Sequence, residues 1–173
     1  MKKDLKTLLS LRALRLEDCA LISKAFREQG WSKSQAKYEQ YLQYQEQGLR
    51  DIVLAELEGQ FAGYLTIVWE SSYPFFKEQG IPEIVDFNVL KKFQRQGIGT
   101  RLMDEAERRI KKVSPLAGIG FGLTKDYGPA QILYINRGYK PDGNGATKAA
   151  APLVYGSEIT VDDDLVLHLI KEL

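Results

Sequence analysis

Residues 94–100 read Gln94-Arg95-Gln96-Gly97-Ile98-Gly99-Thr100 and stand between a β-rich run, Glu83 to Leu90, and the clearest amphipathic pattern in the chain, Gly97 to Val113. In that pattern Ile98, Leu102, Ala106, Ile110 and Val113 recur at helical spacing. The other faces carry Asp104/Arg108, Glu105/Arg109 and Glu107/Lys111, with the acid on the N-terminal side of each pair, the favourable sense for an exposed helix face. A strand that runs through two glycines into a helix suits an anion. The first-turn N–H groups have no carbonyl partner, the dipole is positive there, and glycine lets a phosphate approach the backbone. A diphosphate fits this description. Leu102 stands where a dinucleotide fingerprint needs its third glycine, and no Gly-Lys-Ser/Thr follows for a Walker loop, so both are excluded. A tight turn without a ligand is the competing reading of the two glycines.

Working outward, Leu116 to Thr124 reads as a strand after the helix, which makes 83–90, 97–113 and 116–124 a βαβ unit with parallel strands. Pro129 opens a shorter helix that ends at Asn136 and is closed by Gly138. Residues 141–157, with Gly143, Asn144, Gly145 and Gly156, read as a long loop, and Leu165 to Ile170 as the last strand. Upstream, a short extended pattern around Leu11 and Ala13 meets a helix start at Glu17 and Asp18, and that helix runs to about Gly30. A second helix is predicted over Ser34 to Gln47, and two strands, Asp51 to Glu58 and Gln60 to Glu70, form a hairpin at Glu58-Gly59. A loop carrying Tyr73, Pro74, Phe75 and Phe76 follows. No repeat or linker divides the chain, so residues 1–173 are expected to form a single α/β domain with a mixed sheet.

Composition removes other classes. The chain has 173 residues, one cysteine (Cys19) and one histidine (His168), so an internal disulfide is excluded and a tetrahedral zinc site is not available. Nucleophilic triads would all depend on His168, within an alternating apolar stretch. With 24 Lys+Arg against 23 Asp+Glu there is no global field for nucleic acid. Lys2 and Lys3 resemble the start of a leader segment, but Asp4, Lys6, Arg12 and Arg15 interrupt the apolar run it would need, and no stretch approaches the roughly 20 apolar residues of a membrane span. A soluble, cytoplasmic protein is expected.

Gln-x-x-Gly-x-Gly between such a strand and such a helix resembles the acetyl-CoA motif of the GNAT superfamily of N-acetyltransferases. A second segment, Ala130-Gln131-Ile132-Leu133-Tyr134-Ile135-Asn136-Arg137-Gly138-Tyr139, is similar to the family's Ala-x-x-Leu-Tyr-x-x-x-Gly-aromatic run. The element order matches over nearly the whole chain. The resemblance implies the GNAT-like acyl-CoA N-acyltransferase fold, a central mixed β-sheet flanked by helices, with acetyl-CoA as cosubstrate and no metal. It puts the CoA diphosphate on the backbone of Gln94, Arg95, Gln96, Gly97, Ile98, Gly99 and Thr100, with Arg101 as a further phosphate partner. Phe87 and Val89 at the end of the preceding strand, together with Tyr127 and Ala130, are expected to line the cofactor arm. Tyr127 departs from the family, which often has Asn there. Gly118, Gly120 and Gly122 share one strand face by the period of two, which leaves room either for a ligand arm or for a closely packed helix.

Moving an acetyl group from a thioester to an amine requires a neutral nucleophile, stabilisation of developing charge and a proton for the leaving thiolate. The resemblance implies Tyr134 as the acid. Glu83, eleven residues before Gln94, matches the general base of the histone-acetylating members. Asp86 and a water remain alternatives. Glu83 and Asp86 are at odd separation, so on a regular strand they face opposite ways and only one is expected to serve. The acceptor pocket is expected from Trp31, Trp69, Tyr73, Phe75 and Phe76, with Glu70, Glu78 and Glu83 favouring a cationic acceptor. The acceptor is read as a small-molecule or peptide amine, and a homodimer through the final strand as a candidate assembly. A non-catalytic acyl-CoA-binding sensor and a binder of another nucleotide phosphate are the alternative functions.

Overall fold

Asp18 shows how local chemistry starts the fold. Its carboxylate accepts the N–H of Arg15 at 2.8 Å and so closes the first turn of helix α1, Leu16–Glu28. It also receives Arg12 in a bidentate pair at 2.6 and 2.7 Å, while Arg12 reaches Glu56 at 2.6 Å. One guanidinium therefore ties strand β1 (Leu9–Ala13) to α1 and to strand β2 (Arg50–Leu57). The computed structural model describes residues 8–173, so Lys2, Lys3, Asp4 and Lys6, weighed above against a leader, lie outside the described residues.

The chain forms two compact units. The first comprises residues up to Trp69 together with Val85–Arg109. It contains β1, α1, α2 (Gln35–Glu46), β2, β3 (Gln60–Val68), most of β4 (Glu83–Val89) and nearly all of α4 (Ile98–Ile110). Its strands are hydrogen-bonded in the order β1-β2-β3-β4, with β1–β2 and β2–β3 antiparallel. The β2–β3 turn forms at Glu58 (φ 52°) and Gly59 (φ 76°), both left-handed, the backbone a two-residue hairpin requires. Cys19, Ile22 and Phe26 of α1 and Tyr38 and Tyr41 of α2 pack on Ile52, Leu54 and Tyr64 in one core cluster. On the alternate face of β2, Asp51 receives Arg109 of α4 at 2.7 Å. Arg109 also holds Glu105 at 2.8 Å, and the hydrogen bonds of Arg108 and Arg109 pull the Glu105 carboxyl down to about 2. Of the apolar face predicted for α4, Ile98, Leu102 and Ala106 are enclosed, whereas Val113 lies beyond the end of the helix and is exposed.

The second unit comprises Glu70–Ile84 and Ile110–Leu173. Its strands run in the order β4, β5 (Leu116–Gly122), β8 (Leu165–Glu172), β6 (Lys140–Lys148) and β7 (Ala151–Pro152). Strand β5 (Leu116–Gly122) pairs parallel with β4 at Glu83↔Gly118 and Ile84↔Ile119, as a βαβ crossover demands. Strand β8 (Leu165–Glu172) lies antiparallel between β5 and β6. Within the segment 141–157 the structure departs from the expected long loop. Residues Lys140–Lys148 form strand β6, and Ala151–Pro152 form a short strand β7. The glycines that argued against a strand sit in an outward bulge: pairing stops at Pro141↔Leu169 and resumes at Ala146↔Leu167, with Gly143 and Gly145 at positive φ. The predicted loop after β3 also contains a helix, α3 (Pro74–Gln79), started by proline in its first turn and ended by left-handed Gly80. The shorter helix after β5 is α5, Gly128–Asn136. Among the described residues no helix is long and apolar enough to cross a membrane.

Candidate functional site

In the first unit, β4 leads through a 3-10 turn, Lys91–Phe93, into the loop before α4. Two residues of that loop are left-handed, Arg95 (φ 60°) and Gly97 (φ 79°). Arg95 takes the conformation at a cost, and Gly97 takes it freely. A Cβ built on Gly97 meets nothing within 4 Å, so the backbone faces open space there. The Gln94 side chain donates to the Val89 carbonyl at 3.1 Å and fastens the loop to the end of β4. Gln96 donates to the Lys92 carbonyl at 3.3 Å. Both glutamine side chains are engaged within the protein, and the first N–H groups of α4 have no intrahelical carbonyl to donate to. Arg95, Thr100 and Arg101 are exposed around this turn, and Ile98 is buried beneath it. Phe87, half-buried, lies against Gly99.

Two carboxylates were expected to compete for the role of base, and they meet different surroundings. Asp86, in the first unit, sits at φ 52°, so β4 is not a regular strand through this residue and simple alternation does not carry past it. Its Oδ1 accepts Lys33 and Asn88, each at 2.9 Å. Its Oδ2 accepts Tyr64 at 2.6 Å, Lys37 at 2.8 Å and Tyr41 at 3.0 Å. Burial alone would raise this carboxyl. The charges of Lys33 and Lys37 and the bonds from Lys37 and Tyr64 outweigh it and hold the group far below the ordinary carboxylate range. With five donors on two oxygens, Asp86 is a structural anion with no lone pair left for a substrate proton.

Glu83 belongs to the second unit and is buried, with 8% of its surface exposed. Ser71 donates to its Oε2 at 2.5 Å, and His168 Nε2 stands 3.9 Å from its Oε1. The imidazole is stacked on Tyr73, with centroids 3.7 Å apart and planes 5° apart, and its Nδ1 has no hydrogen-bond partner. Burial holds His168 below its ordinary pKa against the opposing pull of Asp142. Tyr73 donates to Asp142 at 2.8 Å, and burial, then that bond, pushes its phenol up to about 12. Sequence reading set His168 aside and did not name Ser71. The available signal was the glycine strand, since Gly120 is the cross-strand partner of His168 and a Cβ there would meet Val166 at 2.7 Å and the imidazole at 3.3 Å.

The three β5 glycines prove to be seats for side chains. A Cβ at Gly118 would lie 2.4 Å from the Phe76 ring, and one at Gly122 would lie 2.4 Å from the Tyr127 ring. Of the two readings offered for that face, close packing by side chains is the one observed, with Phe76 supplied by α3. Tyr127 closes the 3-10 turn Lys125–Tyr127 and donates to Asp163 at 3.1 Å. Tyr134, on α5, is 5% exposed and packs beside Phe121 and Tyr139. Burial, then the neighbouring Tyr127, raises its phenol well above the ordinary value, so it stays protonated near neutral pH. Ala130, in the first turn of α5, is half-buried.

The aromatic residues expected to line an acceptor pocket fall into separate groups. Tyr73, Phe75 and Phe76 form one cluster in the second unit, with Phe76 wholly enclosed. In the first unit Trp31 stacks on Phe26 at 5.9 Å, and Trp69 donates to Asp51 at 3.2 Å. Of the acids that favoured a cationic acceptor, Glu70 pairs with Lys77 at 2.7 Å and Glu83 accepts the Ser71 hydroxyl. Among the described residues no group of three or more His, Cys, Asp or Glu is placed to hold a metal ion.

Comparison with known proteins agrees with this geometry. The model of the acetyltransferase (GNAT) family matches residues 16–139. Solved structures share the fold at low identity. Ribosomal-protein-alanine N-acetyltransferase from Brucella melitensis is 17% identical, with TM-score 0.68 over 95% of this chain and 99% of its own. An acetyl transferase from Salmonella typhimurium that modifies the N-terminal serine of ribosomal protein L7/L12 is 14% identical, with TM-score 0.68 over 98% of each chain. YncA of Salmonella typhimurium, solved with its cofactor acetyl-CoA, is 15% identical, with TM-score 0.66 over 95% of this chain and 94% of its own. No curated protein matches by sequence. The match of the family model to residues 16–139, well over half of the chain, establishes that this chain belongs to the acetyltransferase (GNAT) family.

Proposed function

We propose that this chain transfers the acetyl group of acetyl-CoA directly to the primary amine of a small molecule or peptide, without a covalent enzyme intermediate. The observation that carries this reading is the turn at Arg95 and Gly97, left-handed at both residues and open in front of the first N–H groups of α4. The residues present fit the cosubstrate: backbone amides from Gln96 to Thr100 would hold its diphosphate, with Arg95 and Arg101 beside them and the Thr100 hydroxyl as a further donor. Phe87, Val89, Tyr127 and Ala130 would line its arm. Acetyl-CoA brings the activated thioester, and the protein's part is to hold it and move protons. Tyr134, kept as a neutral phenol, donates its proton or a strong hydrogen bond to sulfur as the thiolate leaves. Glu83 takes the acceptor's proton through water, with Ser71 donating to one carboxylate oxygen and the His168 imidazole 3.9 Å from the other. Asp86 has no such role, because its oxygens are already saturated. Cys19 is buried, with its thiol against the Arg15 carbonyl, and does not serve as a nucleophile. Two of the structural neighbours act on ribosomal proteins, which supports a peptide amine among the acceptors. The chain passes between its two units three times, at 69–70, 84–85 and 109–110, and on that ground we read 1–173 as one acetyltransferase domain.

Calorimetric titration with acetyl-CoA, CoA and ATP, followed by a thiol-release screen over amines, tests the reading. Micromolar acetyl-CoA binding with thiol release is the expected result. Binding without turnover on any amine would turn the assignment to a non-catalytic acyl-CoA sensor. Tight ATP binding without acetyl-CoA binding would overturn it in favour of another nucleotide ligand.

A further inference from the structure

His168 is the one histidine of the chain, and the second unit builds a close-fitting seat for it. Its side chain, on β8, is 7% exposed. Tyr73 stacks on one face of the imidazole, and the Phe76 ring stands edge-on to it at 5.5 Å. The cross-strand neighbour is Gly120, where a Cβ would lie 3.3 Å from the imidazole Cδ2 and 3.5 Å from Nε2. Alanine at 120 would crowd the ring edge that carries Nε2, the nitrogen 3.9 Å from Glu83 Oε1. His168, Glu83, Ser71, Tyr73, Phe76 and Gly120 all belong to this one unit.

Packing alone does not call for histidine here. A phenyl ring would fill the seat without burying a nitrogen that has no partner, and Nδ1 has none. What the imidazole adds is a second basic group beside the Glu83 carboxylate, on a ring held in place by Tyr73 and Phe76. Two titratable groups less than 4 Å apart take up protons as a pair: an ionised carboxylate favours an imidazolium, and an imidazolium keeps a carboxylate ionised. Ser71 is committed to the same arrangement. Its oxygen accepts the Tyr73 N–H at 3.0 Å, and its single proton goes to Glu83 Oε2. The other titratable groups facing the imidazole are Tyr73, ahead of α3, and Asp142, on β6, which are bonded to each other. Phe76 and Gly120 bring none.

We propose that His168 is a positioning residue for acetyl transfer, sharing with Glu83 the single proton that the acceptor's ammonium gives up. The ammonium N–H bond breaks, its electron pair stays on nitrogen, and the proton passes through water to the pair, which gains one positive charge. The neutral amine then forms the C–N bond as the C–S bond breaks, and its second proton goes to the thiolate sulfur. The pair returns its own proton to solvent after turnover. The proposal rests on the acetyltransfer reading for the source of the proton; the coupling of His168 to Glu83 does not.

Because the chain has one histidine, its ring Hε1 and Hδ2 signals report His168 directly. They are followed by NMR from pH 9 to pH 4.5 in the full chain, in Glu83→Gln and in Asp142→Asn, with no substrate present. Glu83→Gln is expected to lower the His168 midpoint by about one pH unit or more, and Asp142→Asn to move it less. A midpoint left in place by Glu83→Gln, in a variant whose thermal melt at pH 8 matches the parent, would overturn the pair. The second measurement is the pH profile of kcat/KM with acetyl-CoA and the fastest amine of the thiol-release screen, with Ala-Gly-Gly-amide and spermidine among the amines. His168→Gln is expected to move the acid limb about one unit to lower pH and to lower kcat about tenfold at pH 7, with the KM for acetyl-CoA unchanged. A rate loss with the acid limb unmoved would make His168 a packing residue and overturn the proposal. Coupling in the NMR titration with no amine turned over would uphold the pair and overturn the acetyltransfer reading.

Discussion

Glu83 and Asp86 lie three residues apart on one strand, in different units, and their surroundings differ in a way that assigns them different work. Asp86 receives five donors, two of them ammonium groups, and is locked as an anion. Glu83 receives a serine hydroxyl at 2.5 Å and faces a neutral imidazole at 3.9 Å. A carboxylate saturated with cations stabilises a fold. A buried carboxylate held by a hydroxyl beside an imidazole can take part in proton transfer.

The strongest way to break this contrast is Asp86→Ala, which strands two ammonium groups and three other donors; a loss of about 3–5 kcal/mol in urea unfolding is expected. A loss under about 1 kcal/mol would show that the network is not structural. Glu83→Gln should do the opposite, lowering kcat by roughly 10²-fold while the urea midpoint moves little. If stability falls and rate does not, the two roles have been assigned the wrong way round. Tyr134→Phe sharpens the picture within the second unit: roughly tenfold in kcat, with acetyl-CoA affinity preserved, because the hydroxyl is used mainly as charge develops on sulfur. Steady-state kinetics with a separate binding titration separates the two.

The smallest effect concerns pH. Burial holds the His168 pKa below its ordinary 6.5, so the unfolded chain takes up a proton there before the folded one does. Stability from this group is complete above about pH 6.5 and is lost as pH falls through the folded value. Glu83, Asp142 and Tyr73 are the titratable groups facing it, and the pull of Asp142 is weaker than burial. Thermal melts from pH 7.5 to 5 should show a slope that His168→Phe removes. Asp86, held far below its usual range, contributes stability that persists to much lower pH, so the two units should differ in acid sensitivity.

Much of the architecture was legible because it is encoded over short distances. The 3.6-residue pattern of α4, the Glu58-Gly59 turn and the proline-started α5 each depend on residues within one or two turns of one another. Strand β6 was not legible, because its glycines and proline argue locally for a loop and only pairing with β8 makes it a strand. The left-handed backbone at Asp86 was not legible either, because an aspartate among apolar neighbours carries no local signal for it.

The sequence by itself determined the family, through Gln94 to Thr100 and Ala130 to Tyr139, and with it the element order and the expectation of acetyl-CoA. Only the tertiary structure decided that Asp86 is locked by ammonium groups and tyrosines while Glu83 lies beside Ser71 and His168. Lys33, Lys37, Arg50, Tyr41, Tyr64 and Asp86 come from four separate stretches of chain, and His168 reaches Glu83 across 85 positions. Charge compensation acts through space over a few ångströms, so no local pattern can record it.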